Sequence, residues 1–210
     1  PRNAEVVGRA RQDRSEGVAE HEEMMAVRLS RVRPDLEHWL PNPAMCVAHS
    51  RESSARPDEL WAAARTVRVC EAGLLGRLIR WRIPGTPGEL TFDELFRRPP
   101  FAVLDGEADG ALVSGLVGRI WTIRRDYPLV SDPEEFRTWH KPGTARVVFA
   151  NWVSVARDGR ARLASEARVD VSGTQGRIGL AAVRPLVGSF QNLIGTEGIA
   201  TAVRRAERAG

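Results

Sequence analysis

The chain has 210 residues, 42% of them hydrophobic and 28% charged, a balance that supports a buried core and excludes a chain that is disordered over most of its length. The net charge is +4, with Lys141 the only lysine among the 31 cationic side chains, and the arginines alternate with acids except in the tail VRRAERAG, which argues against nucleic acid. No apolar run approaches the roughly 20 residues that a helical membrane span requires, so no membrane partner is expected.

The polar opening PRNAEVVGRARQDRSEG lacks the apolar segment of a secretory signal, which gives the expectation of a cytoplasmic protein. Residues 17–33 space Met24, Val27, Leu29 and Val32 as a short helix does. Within it, His-Glu-Glu-Met-Met matches only part of a zinc-protease helix, because Met25 stands where the second histidine ligand belongs. Pro34, Pro41 and Pro43 then impose an extended connector. Cys46 and Cys70 form no C-x-x-C pair, so neither zinc nor a disulfide framework is expected, and both read as reduced, buried thiols.

MCVAHSRESS reads as a strand, leading into the helix ARPDELWAAAR, where Pro57 suits the first turn and Asp58 and Glu59 face the positive end of the helix dipole. A second helix, EAGLLGRLIRWRI, runs to Pro84; PGTPG is a turn, and LTFDELFRR gives one or two further helical turns. From Phe101 onward β-branched alternation takes over in FAVLDG, ALVSGLVGRIWTI, TARVVFANWVSVA and RARLASEARVDV, which predicts an antiparallel sheet. Asp105, Glu107, Asp109 and Gly110 match the first half of a calcium loop, but Leu116 stands where the bidentate glutamate belongs, so the stretch reads as a hairpin turn.

Asp158-Gly159 joins the two clearest strands. Across that turn Val147, Phe149, Asn151 and Val153 share one face, and Leu163, Ser165, Ala167 and Val169 share one face of the partner. On the other face Arg162, Glu166 and Arg168 read as an exposed charge ladder. An amphipathic helix from about 174 to 207 carries Leu180, Val183, Val187, Phe190 and Ile194 at spacings of three and four and covers the dry face, with Pro185 predicting a break near 181–185.

This order of elements resembles the START-like (SRPBCC) superfamily. The segments ARPDELWAAA, LVGRIW, DPEEFRTWHKPGTARVVFANW and RARLASEARV are similar to those of a bacterial branch whose members are mostly of unknown function. The resemblance runs over residues 37–207 and implies an N-terminal extension (1–36) ahead of an α+β domain (37–210) with the helix-grip fold, a curved antiparallel sheet holding a long C-terminal helix. It further implies a cavity between sheet and helix for an apolar small molecule, or, in polyketide cyclases, aromatases and dehydratases, for a reaction that needs no cofactor. The last helix departs from that pattern in carrying Gly176, Gly179, Gly188, Gly195 and Gly198, so either it is interrupted or its backbone approaches a ligand or another chain closely.

Asn151 is the most informative polar side chain, since an amide on an apolar strand face needs partners, and Ser165 sits on the corresponding face of the next strand. Phe149, Trp121, Trp139 and Phe190 complete the ligand-contacting candidates. As catalytic candidates, His140 lies in a loop with Trp139 where a lid is expected and could act as a general acid or base, Asn151 could polarise a carbonyl, and Arg119 could hold a carboxylate or enolate. A structural amide and a surface histidine are the plainer readings of Asn151 and His140. No nucleophile elbow or phosphate loop occurs, and no metal or cofactor is expected. A homodimer that uses residues 1–36 as an arm is a third reading beside binder and enzyme.

Overall fold

The computed structural model describes residues 33–106, 110–124, 126–156 and 158–209. The helix expected over 17–33 and the tip of the 104–110 turn therefore lie, wholly or mainly, outside the described residues. The chain forms α1 (Leu36–Trp39), β1 (Met45–Ser53), α2 (Pro57–Arg65), a 3-10 turn (Val69–Glu71), α3 (Gly73–Arg82), α4 (Phe92–Phe96), β2 (Ala102–Asp105), β3 (Ala111–Gly118), α5 (Pro133–Thr138), β4 (Ala145–Val155) and β5 (Ala161–Val171). It ends in one helical run: α6 (Gly173–Leu193), a π-helical turn (Ile194–Ile199) and α7 (Ala200–Ala209).

Local chemistry explains the helix starts. Pro57 opens α2 with Asp58 and Glu59 in the first turn, Thr91 and Glu94 cap α4 reciprocally, and the Asp132 side chain accepts from Glu134 N ahead of Pro133 in α5. The five strands pair antiparallel in the order β1-β5-β4-β3-β2. Asn151 is opposite Ser165, which is opposite His49 on β1, and Leu112 of β3 flanks Asn151 on the other side. Helices α2, α3 and α4, inserted between β1 and β2, lie with the C-terminal run on the face that carries these residues. The architecture is a helix-grip fold.

The opposite face is not a wet face. Leu36, Trp39 and Leu40, together with Phe136 of α5, pack there against Val113, Val117, Val148, Ala150, Trp152 and Ala164. Glu166 and Arg168 are consequently only 4% and 5% exposed, which corrects the exposed charge ladder read from the sequence. Their charges compensate each other: Arg168 Nε donates to Glu166 Oε1 at 2.7 Å, and Arg168 Nη1 donates to Glu37 at 2.7 Å and to the Leu40 carbonyl at 3.0 Å. Alternation alone cannot reveal this cover, because α1 is four residues long and lies between prolines.

Three further expectations are corrected. Both cysteines are exposed, not buried; Cys46 lies on the outer face with its thiol 3.4 Å from Glu166 Oε1. The strand expected to run on through Trp121 stops at Gly118, whose φ of +141° and close packing against the Asp126 carbonyl leave no room for a side chain. The C-terminal helix continues through Pro185, and its irregularity falls at 194–199. There a Cβ on Gly195 would stand 2.8 Å from His49 Cγ, so glycine lets the helix backbone press onto β1. In the same turn Glu197 accepts from Leu75 N at 2.8 Å, supplying an acid to the N-terminus of α3, which has none in its own first turn.

Candidate functional site: an apolar cavity between sheet and helices

The sheet face under the helices is incompletely filled. A cavity of about 260 Å³ lies between β3, β4 and β5 on one side and α2, α3, α4 and the C-terminal run on the other. Its floor is Leu112 and Leu116 from β3, Val147, Phe149 and Asn151 from β4, and Leu163, Ser165 and Val169 from β5. Trp61, Val67, Leu75, Ile79, Phe92, Leu95 and Phe96 close it from the helical side, with Ile194, Ile199 and Ala202 from the C-terminal run. Phe96, Phe101 and Phe149 form an aromatic cluster along one wall, with ring centroids 5.1 to 5.7 Å apart. Strand alternation puts every second residue on this floor, so the pattern Val147, Phe149, Asn151 follows from the register alone.

Polar groups are few and fall into three sets. Asn151 and Ser165 stand side by side on the floor, and among the described residues neither side chain makes a hydrogen bond within the protein. The Asp93 carboxylate is compensated by Arg65 at 3.3 Å and Arg97 at 2.9 Å. Arg82 and Tyr127 stand together at one end, the guanidinium 4.9 Å from the ring centroid and donating to the Ile120 carbonyl at 3.3 Å. An apolar enclosure with a few placed polar groups is the usual form of a small-molecule site, and this one lies just under the roughly 300 Å³ at which ordinary ligand pockets begin.

Of the residues singled out in the sequence, the structure brings Asn151, Ser165 and Phe149 together on the cavity floor. It places four others elsewhere. Trp121 lies beyond the end of β3, and its indole fills the space over Gly179, where a Cβ would be 2.4 Å from the ring. Trp139 packs with the outer-face cluster and its indole N–H donates to Thr144 Oγ1 at 3.0 Å. His140 is exposed, with Nδ1 2.6 Å from the Thr138 carbonyl, and Arg119 is exposed at the turn after β3. The side chain of Phe190 lies outside the described residues.

Sequence reasoning missed the aromatic wall from Phe96 and Phe101, the Arg82 and Tyr127 pair, and His49. The alternation of β3 does contain the signal for Leu112 and Leu116. Nothing local signals His49, whose Nε2 is buried without a hydrogen-bond partner among the described residues. Among those residues no cluster of three or more His, Cys, Asp or Glu could hold a metal, and no helix is long and apolar enough to cross a membrane.

No family model matches the sequence, and no curated relative is found. Solved structures do resemble it. A hypothetical protein of Helicobacter pylori is 12% identical over 83% of this chain and 95% of its own, with a TM-score of 0.40. A protein of Thermus thermophilus is 12% identical, covering 79% and 99%, with a TM-score of 0.32. The Zhui aromatase/cyclase of Streptomyces sp. R1128 is 14% identical, covering 79% and 98%, also with a TM-score of 0.32. Such identities transfer no residue's role, and the fold assignment stands on the strand order and the helical cover described above.

Proposed function

We propose that this protein binds an apolar or aromatic small molecule in the cavity between the sheet and the C-terminal helical run. The observation that carries the reading is the unfilled apolar space of about 260 Å³ over Phe149, with the Asn151 amide and Ser165 hydroxyl facing no protein partner among the described residues. Apolar walls supply affinity by removing ligand surface from water, at about 25 cal/mol per Å², while the amide and hydroxyl select a ligand that carries a hydrogen-bonding group. The reading favours a binder over a cyclase, aromatase or dehydratase, because His140 and Arg119 stand away from the cavity and Asp93 is neutralised by two arginines. Titration with naphthol, followed by tryptophan fluorescence or calorimetry, tests it. Binding in the micromolar range that disappears in Leu116→Trp, where the new ring occupies the cavity, supports the reading. A wild-type chain that binds neither naphthol nor any apolar probe below millimolar concentration overturns it.

A further inference from the structure

The cavity has an electrically asymmetric end. Residues 73–88 contain Arg77, Arg80 and Arg82 and no acid, so α3 and the turn after it carry three positive charges over sixteen positions. Among the described residues none of the three arginines has a carboxylate within ion-pair distance; Arg51, Arg98, Arg119, Arg177 and Arg184 share that state, and what sets these three apart is their place on one short helix that lines both the cavity and the groove beside it. Arg82 belongs to the cavity lining, and its partners are a neutral carbonyl and an aromatic face, which orient the guanidinium and leave its charge uncompensated. Arg77 and Arg80 line a second, open groove with the turn at 84–87, and Trp81 lines both the groove and the cavity. The helix dipole favours Arg80 and Arg82 in the last turn of α3, but it accounts neither for Arg77 one turn earlier nor for an arginine in the wall of an apolar space.

We infer that the ligand is an amphipathic anion, a single apolar body ending in a carboxylate or phosphate, with the body in the cavity beside Arg82 and the charged end at the groove lined by Arg77 and Arg80. The inference rests on the cavity-binding reading and adds to it the ligand's charge and direction of entry. Guanidinium groups suit this task because they present planar paired donors to carboxylate and phosphate oxygens and hold their charge at every physiological pH. The Trp81 ring spans the junction where the apolar body meets the charged end. Binding to this end is expected to weaken with salt, since the groove is open to water.

Decanoate, decanol and phosphatidylglycerol vesicles, each titrated against the full chain, test the inference. Decanoate is expected to bind at least tenfold more tightly than decanol at low salt. That advantage is expected to vanish in Arg77→Gln/Arg80→Gln, two residues outside the cavity lining, while decanol affinity stays the same, with thermal unfolding of the variant checking that the fold survives. Equal affinities in the wild-type chain overturn the anion inference and leave the cavity reading standing, a result that needs no variant. If neither probe binds a chain that does bind naphthol, the inference falls and the cavity reading stands; if naphthol fails as well, both fall. A decanoate advantage that survives the double substitution overturns the assignment to Arg77 and Arg80. Attachment to vesicles by a chain indifferent to decanoate overturns it too, in favour of a membrane surface.

Discussion

Replacing Glu166 by glutamine tests the structure where it differs most from the pattern of the sequence. The Glu166 side chain is 4% exposed and that of Arg168 is 6% exposed, with a nitrogen-oxygen separation of 2.7 Å. Removing one partner of a buried pair costs about 3–5 kcal/mol, because the other charge stays buried without compensation. Arg168 would keep Glu37, whose side chain is 64% exposed, and the Leu40 carbonyl, so the expected loss is at the low end, about 3 kcal/mol. For a chain of this length that lowers the melting temperature by roughly 6–12 °C. Replacing both residues with apolar ones, Glu166→Leu/Arg168→Met, is expected to recover much of the loss, since an apolar pair avoids the desolvation cost of the ion pair.

The same pair sets an acid dependence. Burial pushes the Glu166 carboxyl upward, but the Arg168 and Cys46 hydrogen bonds and the charges of Arg168 and Arg33 outweigh it and hold the group below its ordinary value. A carboxyl lowered by folding adds stability above its unfolded value and loses it as pH falls through the folded value, so wild-type stability should decline below about pH 4.5 more steeply than that of Glu166→Gln. Urea unfolding at pH 7 and at several acid values measures both effects. A Glu166→Gln loss within about 0.5 kcal/mol, the range of ordinary surface substitutions, would refute the buried outer face and restore the exposed ladder.

Three other outcomes follow from the geometry. Gly179→Ala places a methyl within 2.4 Å of the Trp121 ring and should cost about 1–3 kcal/mol in urea unfolding, with part of the loss returned in Gly179→Ala/Trp121→Leu. Asn151→Leu should weaken naphthol about tenfold, some 1.4 kcal/mol, while leaving naphthalene unchanged, as read by calorimetry. In Leu116→Trp the loss of naphthol binding should come without a large fall in melting temperature, because the added ring enters existing space and does not displace packed atoms.

The fold was legible where period and turn chemistry agreed. Asp158-Gly159 and the alternation about Asn151 and Ser165 predict the β4–β5 pairing, and the spacing from Leu180 to Ile194 predicts the helix laid over it. The buried outer face was not legible, because its cover comes from short pieces, Leu36–Trp39 and Pro133–Thr138, whose apolar residues are too few to show a period. Tryptophan and histidine in a loop near a strand also gave no direction. Trp139 turned to the outer cluster, whereas Phe96 and Phe101, separated by two prolines, reached the cavity. The glycines of the last helix were read as an interruption or as a close approach to a ligand or another chain, whereas Gly179 and Gly195 press on this chain's own Trp121 and His49.

Those two glycines also limit how a guest could come and go. Seated on Trp121 at one point and on His49 sixteen residues later, about 24 Å along the axis, the long helix is pinned twice and cannot tilt off the sheet like a hinged cover without breaking both seats. The end of the cavity lined by Arg82, Ile83, Ile120 and Tyr127 is then the expected route of exchange, and a crosslink between positions 83 and 120 should slow release while leaving the equilibrium occupancy untouched.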